Sequence, residues 1–155
     1  HGDMGDLPPG TFDVITAFDI VEHAQDPLRM LREWGDRLRP GGVLALTTPD
    51  TDSLFRKAMG ARWPMLQPLQ HTVLFSRASM PRFLGEAGFE VLELRGAAKV
   101  MTPAYLVGQL EPYFPRLARL GLRLGAAVRP LSERPIPFHI GELIAVARRE
   151  GPTGA

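Results

Sequence analysis

The chain has 155 residues, 45% of them hydrophobic, which suits one globular domain and is too small for two. Its formal charge of +1 gives no reason to expect a nucleic-acid partner, and the lack of cysteine excludes disulfides and thiolate metal sites. The absence of cysteine fits the expectation of a cytoplasmic protein, and the sequence holds neither a run of eighteen apolar residues nor a basic, apolar N-terminal signal.

The first predicted elements are a strand, a helix and a second strand. Residues 14–18 are apolar throughout, as expected for a buried strand of a parallel sheet. Asp26 as N-cap and Pro27 at the first helical position begin an amphipathic helix, which the Pro-Gly-Gly at 40–42 ends. Residues 43–48 form a second buried strand. This order predicts a right-handed βαβ unit.

Further elements follow towards the C-terminus. A short helix is predicted over 53–59, and another ends at Ala87 after a cap at Ser76 or Ser79. The last two strands are predicted at 89–94 and 142–147, and they could be parallel or form a hairpin.

Two helices, at 102–113 and 115–128, are predicted between these strands, because so long a loop without structure would be unusual. The second helix carries an apolar face and a basic face, formed by Leu117, Leu120, Leu124 and Val128 and by Arg116, Arg119 and Arg123. The basic face has three interpretations: a solvated lid, contact with an anionic membrane or lipid-linked acceptor, or a protein partner.

Several short motifs follow one another along the chain in a characteristic order. They are Gly2-Asp3-Met4 with Leu7-Pro8, Phe12-Asp13-Val14-Ile15, the segment 18–23, the segment 38–44, Thr48-Pro49-Asp50, Pro68-Leu69-Gln70-His71 and Ala87-Gly88-Phe89. Together they resemble the class I S-adenosylmethionine (SAM)-dependent methyltransferases, in particular the subgroup that includes ubiquinone-type O-methyltransferases.

The resemblance implies an α/β, Rossmann-like sheet, of which this chain holds the C-terminal half in the strand order 4-5-7-6. Residues 1–98 would form a partial methyltransferase domain, 99–135 a helical insertion or lid, 136–149 the closing strand of the same domain and 150–155 a tail. The family's glycine-rich loop and ribose-binding acid do not precede Gly2. The chain by itself is therefore expected to be inactive and to bind SAM weakly.

The resemblance also implies which residues contact the cofactor SAM: Asp3, Met4, Phe18, Asp19, Ile20 and His23. Asp3 would accept from the adenine amino group, unless it is a solvated turn residue. Asp19 would lie near the methionine part of SAM, unless it only begins a helix. His23 would line the pocket or be a buried structural histidine. Glu22 and His23 are adjacent and no third ligand is evident, so no metal is predicted.

His71 is the predicted catalytic residue. It follows a Gly/Pro-rich loop and resembles the Pro-x-His element that borders the acceptor pocket in the family. An imidazole titrates near neutral pH and could remove the proton of an acceptor hydroxyl. The alternative is a histidine that only fixes the loop.

Two functions remain open from the sequence. The first is methyl transfer from SAM, preferably to an oxygen of a small molecule, sugar or lipid precursor. The second is a non-catalytic binding or scaffold domain, because one fold serves many functions. An apolar strand at 14–18 that lacks an outer neighbour also predicts pairing, either with a second copy in a homodimer or with strands of a missing half.

Overall fold

Four strands form one sheet in the computed structural model, which describes residues 7–127 and 129–151. They are β1 (Phe12–Phe18), β2 (Leu38–Pro49), β3 (Phe89–Met101) and β4 (Ile136–Arg149), in the order β1-β2-β4-β3. β1 is parallel to β2, while β4 is antiparallel to both of its neighbours. The α/β class and the strand order expected from the sequence are confirmed, and the last two strands form an antiparallel pair.

Six α-helices accompany the sheet in the described residues. α1 (Pro27–Arg37) connects β1 to β2, and α2 (Leu54–Met59) and α3 (Ser79–Glu86) lie between β2 and β3. Between β3 and β4 lie α4 (Pro103–Leu110), α5 (Pro115–Ala127) and α6 (Arg129–Ser132), within the range predicted for the insertion. None of these helices combines the length and the apolar character needed to cross a bilayer.

Side-chain caps begin several helices at the predicted residues. The Asp26 carboxylate accepts from the backbone N–H of Arg29, and the Ser53 hydroxyl accepts from that of Arg56. At the start of α3, the Ser76 and Ser79 hydroxyls each accept from the other's backbone N–H. These short side chains satisfy N–H groups that the first helical turn leaves unpaired.

The core lies between the sheet and helices α1 and α3. Leu44 and Leu46 of β2 and Leu143 of β4 are fully buried, together with Leu31 of α1 and Leu84 of α3. Each buried leucine stabilises the fold by roughly 1.5–3 kcal/mol. This core holds the two central strands rigidly and therefore fixes the edge at which β1 and β2 end.

The β3–β4 pair is longer than predicted at the end that adjoins the helical insertion. Their pairing continues to Met101 opposite Ile136, past the predicted limits of 94 and 142. Gly96, Ala97 and Ala98 gave no local strand signal, but β4 pairs with Gly96 and Ala97, and the ladder resumes at Lys99 after an irregularity at Ala98. The extension places Lys99 on β3, opposite Phe138, and not in a loop.

Helix α5 presents three separate stripes of side chains. Ala118 is buried, and a Cβ on Gly121 would come within 3.1 Å of Val107 on α4, so small residues form the packed seam. The leucines at 117, 120 and 124 remain exposed, at 68%, 54% and 62%. The arginines at 116, 119 and 123 are exposed as well.

Candidate functional site

The candidate site lies at the edge where the parallel strands β1 and β2 end. Asp19 follows β1 with a φ of 53°, in the left-handed region that residues other than glycine rarely adopt. Its backbone N–H donates to the carbonyl of Thr47 at 3.1 Å, which holds this conformation. Open α/β sheets bind ligands beyond the carboxyl ends of their strands, so this edge is where a ligand is expected.

Lys99 joins two carboxylates at this edge. Its Nζ lies 2.5 Å from Asp19 Oδ2 and 3.5 Å from Glu142 Oε2. The first contact is a strong hydrogen bond, whereas the second is an ion pair without hydrogen-bond geometry. Glu142 is 7% exposed, and among the described residues nothing hydrogen-bonds to its Oε2. The site therefore contains a buried carboxylate oxygen with spare accepting capacity.

Burial is the main reason that the pKa of Glu142 is raised from its usual 4.5 to about 7. The positive charge of Lys99 opposes this shift, and the negative charge of Asp19 adds to it. Burial would lower the pKa of Lys99, but the hydrogen bond with Asp19 and the charge of Glu142 outweigh it and raise that pKa. Near neutral pH Lys99 stays charged while Glu142 exchanges its proton.

The backbone before Glu142 depends on a glycine. Gly141 has a φ of 90°, and a Cβ there would lie 2.5 Å from Ser53 Oγ. Its carbonyl accepts from the backbone N–H of Asp50 at 2.9 Å. Only glycine combines this conformation with so close an approach, so Gly141 positions the Glu142 carboxylate.

In a second cluster of polar side chains, His71 lies next to His23. Their ring centroids are 4.8 Å apart, since Thr72 donates to the carbonyls of Glu22 and Ala24 and ties the two segments together. His71 Nδ1 lies 2.6 Å from the carbonyl oxygen of Met65, and His23 Nδ1 lies 2.9 Å from that of Gln70. A carbonyl only accepts, so in the neutral rings each Nδ1 carries the proton and each Nε2 keeps a free lone pair.

This arrangement brings a third potential metal ligand next to Glu22 and His23. Potential ligand atoms of Glu22, His23 and His71 lie within 4.8 Å of one another, so the three side chains could hold a cation. The expectation that no third ligand lies near Glu22 and His23 is wrong, because the loop before Phe75 folds back onto them. Glu22 is buried and already accepts from Thr48 Oγ1 at 3.0 Å. The absence of a metal, which rested on that expectation, stays a prediction.

The predicted cofactor residues are distributed unevenly. Phe18 and Ile20 are 58% and 43% exposed at the open side of β1, where a ligand could cover them. His23 is exposed and hydrogen-bonded, so it is not the buried structural histidine of the alternative interpretation. Asp19 reaches the edge, but its carboxylate is occupied by Lys99. Asp3 and Met4 lie outside the described residues.

An apolar cavity of about 150 Å³ lies between α4 and the sheet, and we call it the α4 cavity. Its lining includes Phe55, Met65, Met101, Leu110 and Ile140, with Lys99 as its charged member. Sequence reasoning missed both Lys99 and Glu142. The available signal was a single glutamate inside the apolar run of the last strand, since unpaired charges are rarely buried.

Comparison with known proteins finds relatives that share part of this chain. A family model described as a methyltransferase domain matches residues 3–94, more than half of the chain. A probable S-adenosylmethionine-dependent methyltransferase of Mycolicibacterium smegmatis is 34% identical over 98 residues, which cover 62% of this chain and 36% of that protein. A ubiquinone biosynthesis O-methyltransferase of Pseudomonas aeruginosa is 30% identical over 99 residues, covering 60% and 43%. The chain spans less than half the length of these curated relatives.

Solved structures share the fold at low identity. A chain of the complex between the Haloferax volcanii Trm112 methyltransferase activator and a methyltransferase superposes with a TM-score of 0.59 at 20% identity, over 97% of this chain and 60% of that chain. A SAM-dependent methyltransferase of Thermotoga maritima gives 0.57 at 17%, over 96% and 62%. The [4+2]-cyclase SpnF gives 0.54 at 20%, over 97% and 55%. At these identities the likeness concerns the fold alone.

Proposed function

This chain belongs to the SAM-dependent methyltransferase family, and on that premise we propose that it supplies the acceptor side of a methyl-transfer site. The acceptor atom is an oxygen of a small molecule, sugar or lipid precursor. Support for oxygen comes from the ubiquinone biosynthesis O-methyltransferases among the relatives and from the free Nε2 of His71. The activity is proposed for a protein in which a cofactor-binding half completes the site.

The described residues fit the methionine side of SAM. Phe18 and Ile20 offer exposed apolar surface beside the end of β1, and His23 lies one short turn further along the chain. Because Lys99 neutralises Asp19, we assign contact with the cofactor to the backbone around Asp19 and not to its carboxylate. When bound, SAM supplies an electrophilic methyl group for in-line displacement by the acceptor oxygen, a reaction that positioning accelerates strongly.

His71 is the base in this proposal. Its half-buried ring is oriented by the Nδ1 hydrogen bond with Met65, so Nε2 can accept the proton of an acceptor hydroxyl. Met65 itself lines the α4 cavity, and its hydrogen bond with His71 supports a role for His71 near an acceptor bound in that cavity. This orientation by a backbone carbonyl is the observation that carries the proposed role.

We expect His71→Ala to lower kcat by about 10²–10⁴-fold in the protein that contains this chain, with little change in SAM affinity. The measurement is transfer of labelled methyl from SAM at saturating acceptor, together with calorimetric titration of SAM. His139→Ala removes an exposed histidine of β4 and serves as the matched control. A change in kcat below about threefold for His71→Ala would leave His71 as a loop anchor only.

The alternative is a non-catalytic binding or scaffold domain. The fold is shared with SpnF, a [4+2]-cyclase, so this sheet does not by itself specify methyl transfer. The sequence encoded before His1 discriminates between the two functions. A strand followed by a glycine-rich loop there supports the enzyme, and a protein without one supports the scaffold.

A further inference from the structure

We propose that the α4 cavity and the Glu142 carboxylate form one binding site for the methyl acceptor. The site selects a compact apolar group, about the size of a six-membered ring, that carries a hydroxyl donor besides the oxygen that is methylated. That the ligand is the methyl acceptor rests on the proposed function. The binding preference rests on the α4 cavity and on the contacts of Glu142.

The size of the apolar group follows from the α4 cavity. A cavity of 150 Å³ with apolar walls stays dry and binds a benzene-sized molecule. The α4 cavity has about this volume, and Phe55, Met101 and Leu110 contribute apolar walls. A ring-sized group therefore fits.

The α4 cavity adjoins the charged cluster. Met65, Lys99 and Ile140 line the α4 cavity and also a small adjoining space beside Asp19 and Glu142. The adjoining space has a volume of about 10 Å³, so a ligand that fills the α4 cavity can extend towards Glu142 a polar group no larger than a hydroxyl. Together the two spaces suit an amphipathic ligand, whose apolar part would lie in the α4 cavity and whose polar end would lie beside Glu142.

The need for a donor follows from Glu142 Oε2. This oxygen is buried without a hydrogen bond, and Lys99 at 3.5 Å is held towards Asp19 by its 2.5 Å contact. A buried acceptor left unpaired costs free energy, so a ligand donor at this point gains affinity. A hydroxyl supplies such a donor without adding a second cation beside Lys99.

Benzyl alcohol is a suitable probe, because it combines one ring with one hydroxyl. We expect it to shift the methyl signals of Met65 and Met101 saturably in methionine-methyl-labelled full 155-residue chain at pH 8. The signals of Met30 and Met80, which lie outside the cavity lining, should stay in place. Benzyl methyl ether keeps the ring without the donor and should bind about tenfold more weakly.

The variant Glu142→Gln should weaken benzyl alcohol binding about fivefold to tenfold, since a neutral acceptor forms a weaker hydrogen bond. Glu90→Gln, an exposed carboxylate of β3, is the matched control and should bind like the parent chain. An unchanged backbone NMR spectrum in both variants verifies that each is folded.

Lowering the pH from 8 to 6 should weaken binding by up to about tenfold in the parent chain, as Glu142 becomes protonated across its pKa of about 7. Lys99 and Asp19 face Glu142 together with Thr47, while Arg95 further along β3 is paired with Glu93. The pH effect should disappear in Glu142→Gln, although the histidines remain.

Three results would overturn the proposal: unmoved Met65 and Met101 signals, equal binding of alcohol and ether, or unchanged binding in Glu142→Gln. None of these measurements uses SAM or methyl transfer. Evidence against the proposed enzymatic function would therefore not contradict this binding site. Evidence against the binding site would likewise not contradict the enzymatic function.

Discussion

Glu142 combines two properties that normally exclude each other, a buried position and a carboxyl group. Within the part of the chain that the structure describes, its paired cation is Lys99, which lies closer to Asp19 than to Glu142. Desolvation therefore outweighs the attraction, and the pKa rises to about 7. Such displaced carboxyl groups are frequent at functional sites, where stability is given up for binding or catalysis.

The raised pKa makes Glu142 a source of pH-dependent instability. Between pH 4.5 and 7 the folded chain keeps this proton while the unfolded chain has lost it, so stability falls as the pH rises through that window. Glu142→Gln removes this pH dependence. We expect the change that the substitution causes in the free energy of unfolding to be about 1–3 kcal/mol more stabilising at pH 8 than at pH 5. Urea unfolding at both pH values measures this difference.

Glu90→Gln is again the control, because Glu90 is exposed and should show no such pH-dependent gain. An equal effect of Glu142→Gln at pH 5 and pH 8 would mean that Glu142 titrates like an exposed carboxyl group. The buried site described above would then be open to water.

Helix α5 shows how one element can carry several usable faces. Its small residues pack on α4, which leaves a leucine stripe beside an arginine stripe on the outside. No acidic residue lies within the helix. This pattern is typical of helices that lie on anionic lipid surfaces, so we propose peripheral membrane contact through α5.

Removing two charges tests this contact. Arg119→Gln combined with Arg123→Gln should lower partitioning onto phosphatidylserine-containing vesicles about thirtyfold, at roughly 1 kcal/mol per charge. Co-sedimentation measures the effect, and Arg82→Gln on α3 is the control. If the unmodified chain does not bind anionic vesicles, or binds pure phosphatidylcholine vesicles equally well, the arginine stripe faces solvent or a protein partner and not a membrane.

At the scale of the molecule, the sheet ends in an open, apolar edge. β1 pairs only with β2 in the described residues, and Val14 and Phe18 are 56% and 58% exposed. Unpaired backbone groups beside apolar side chains favour association with another strand. A cofactor-binding half or a second copy of the chain would satisfy this edge equally well in chemical terms.

The 155-residue chain alone is therefore expected to self-associate reversibly. Val14→Lys should shift the equilibrium towards monomer, since a charge on an edge strand opposes pairing. Sedimentation equilibrium detects the shift, and Leu54→Lys, a similar change at an exposed leucine of α2, is the control. A parent chain that stays monomeric at high concentration would contradict strand pairing between copies.

Much of the architecture was predictable because its signals are local or sequential. Caps such as Asp26 and Ser53 act within three residues of themselves, and the order of the motifs indicated the strand order of the sheet. His71 was predicted from such a motif as well. Its orientation by the carbonyl of Met65 was not.

The tertiary structure alone decided which distant residues meet. Lys99 reaches Asp19 across 80 positions because the β3–β4 register continues beyond its local strand signal, and His71 reaches His23 because Thr72 ties two loops together. It also selected the small-residue stripe of α5 for packing, since only that stripe fits against Val107. Sequence periodicity states which residues share a face, but distances between faces arise only when the whole chain packs.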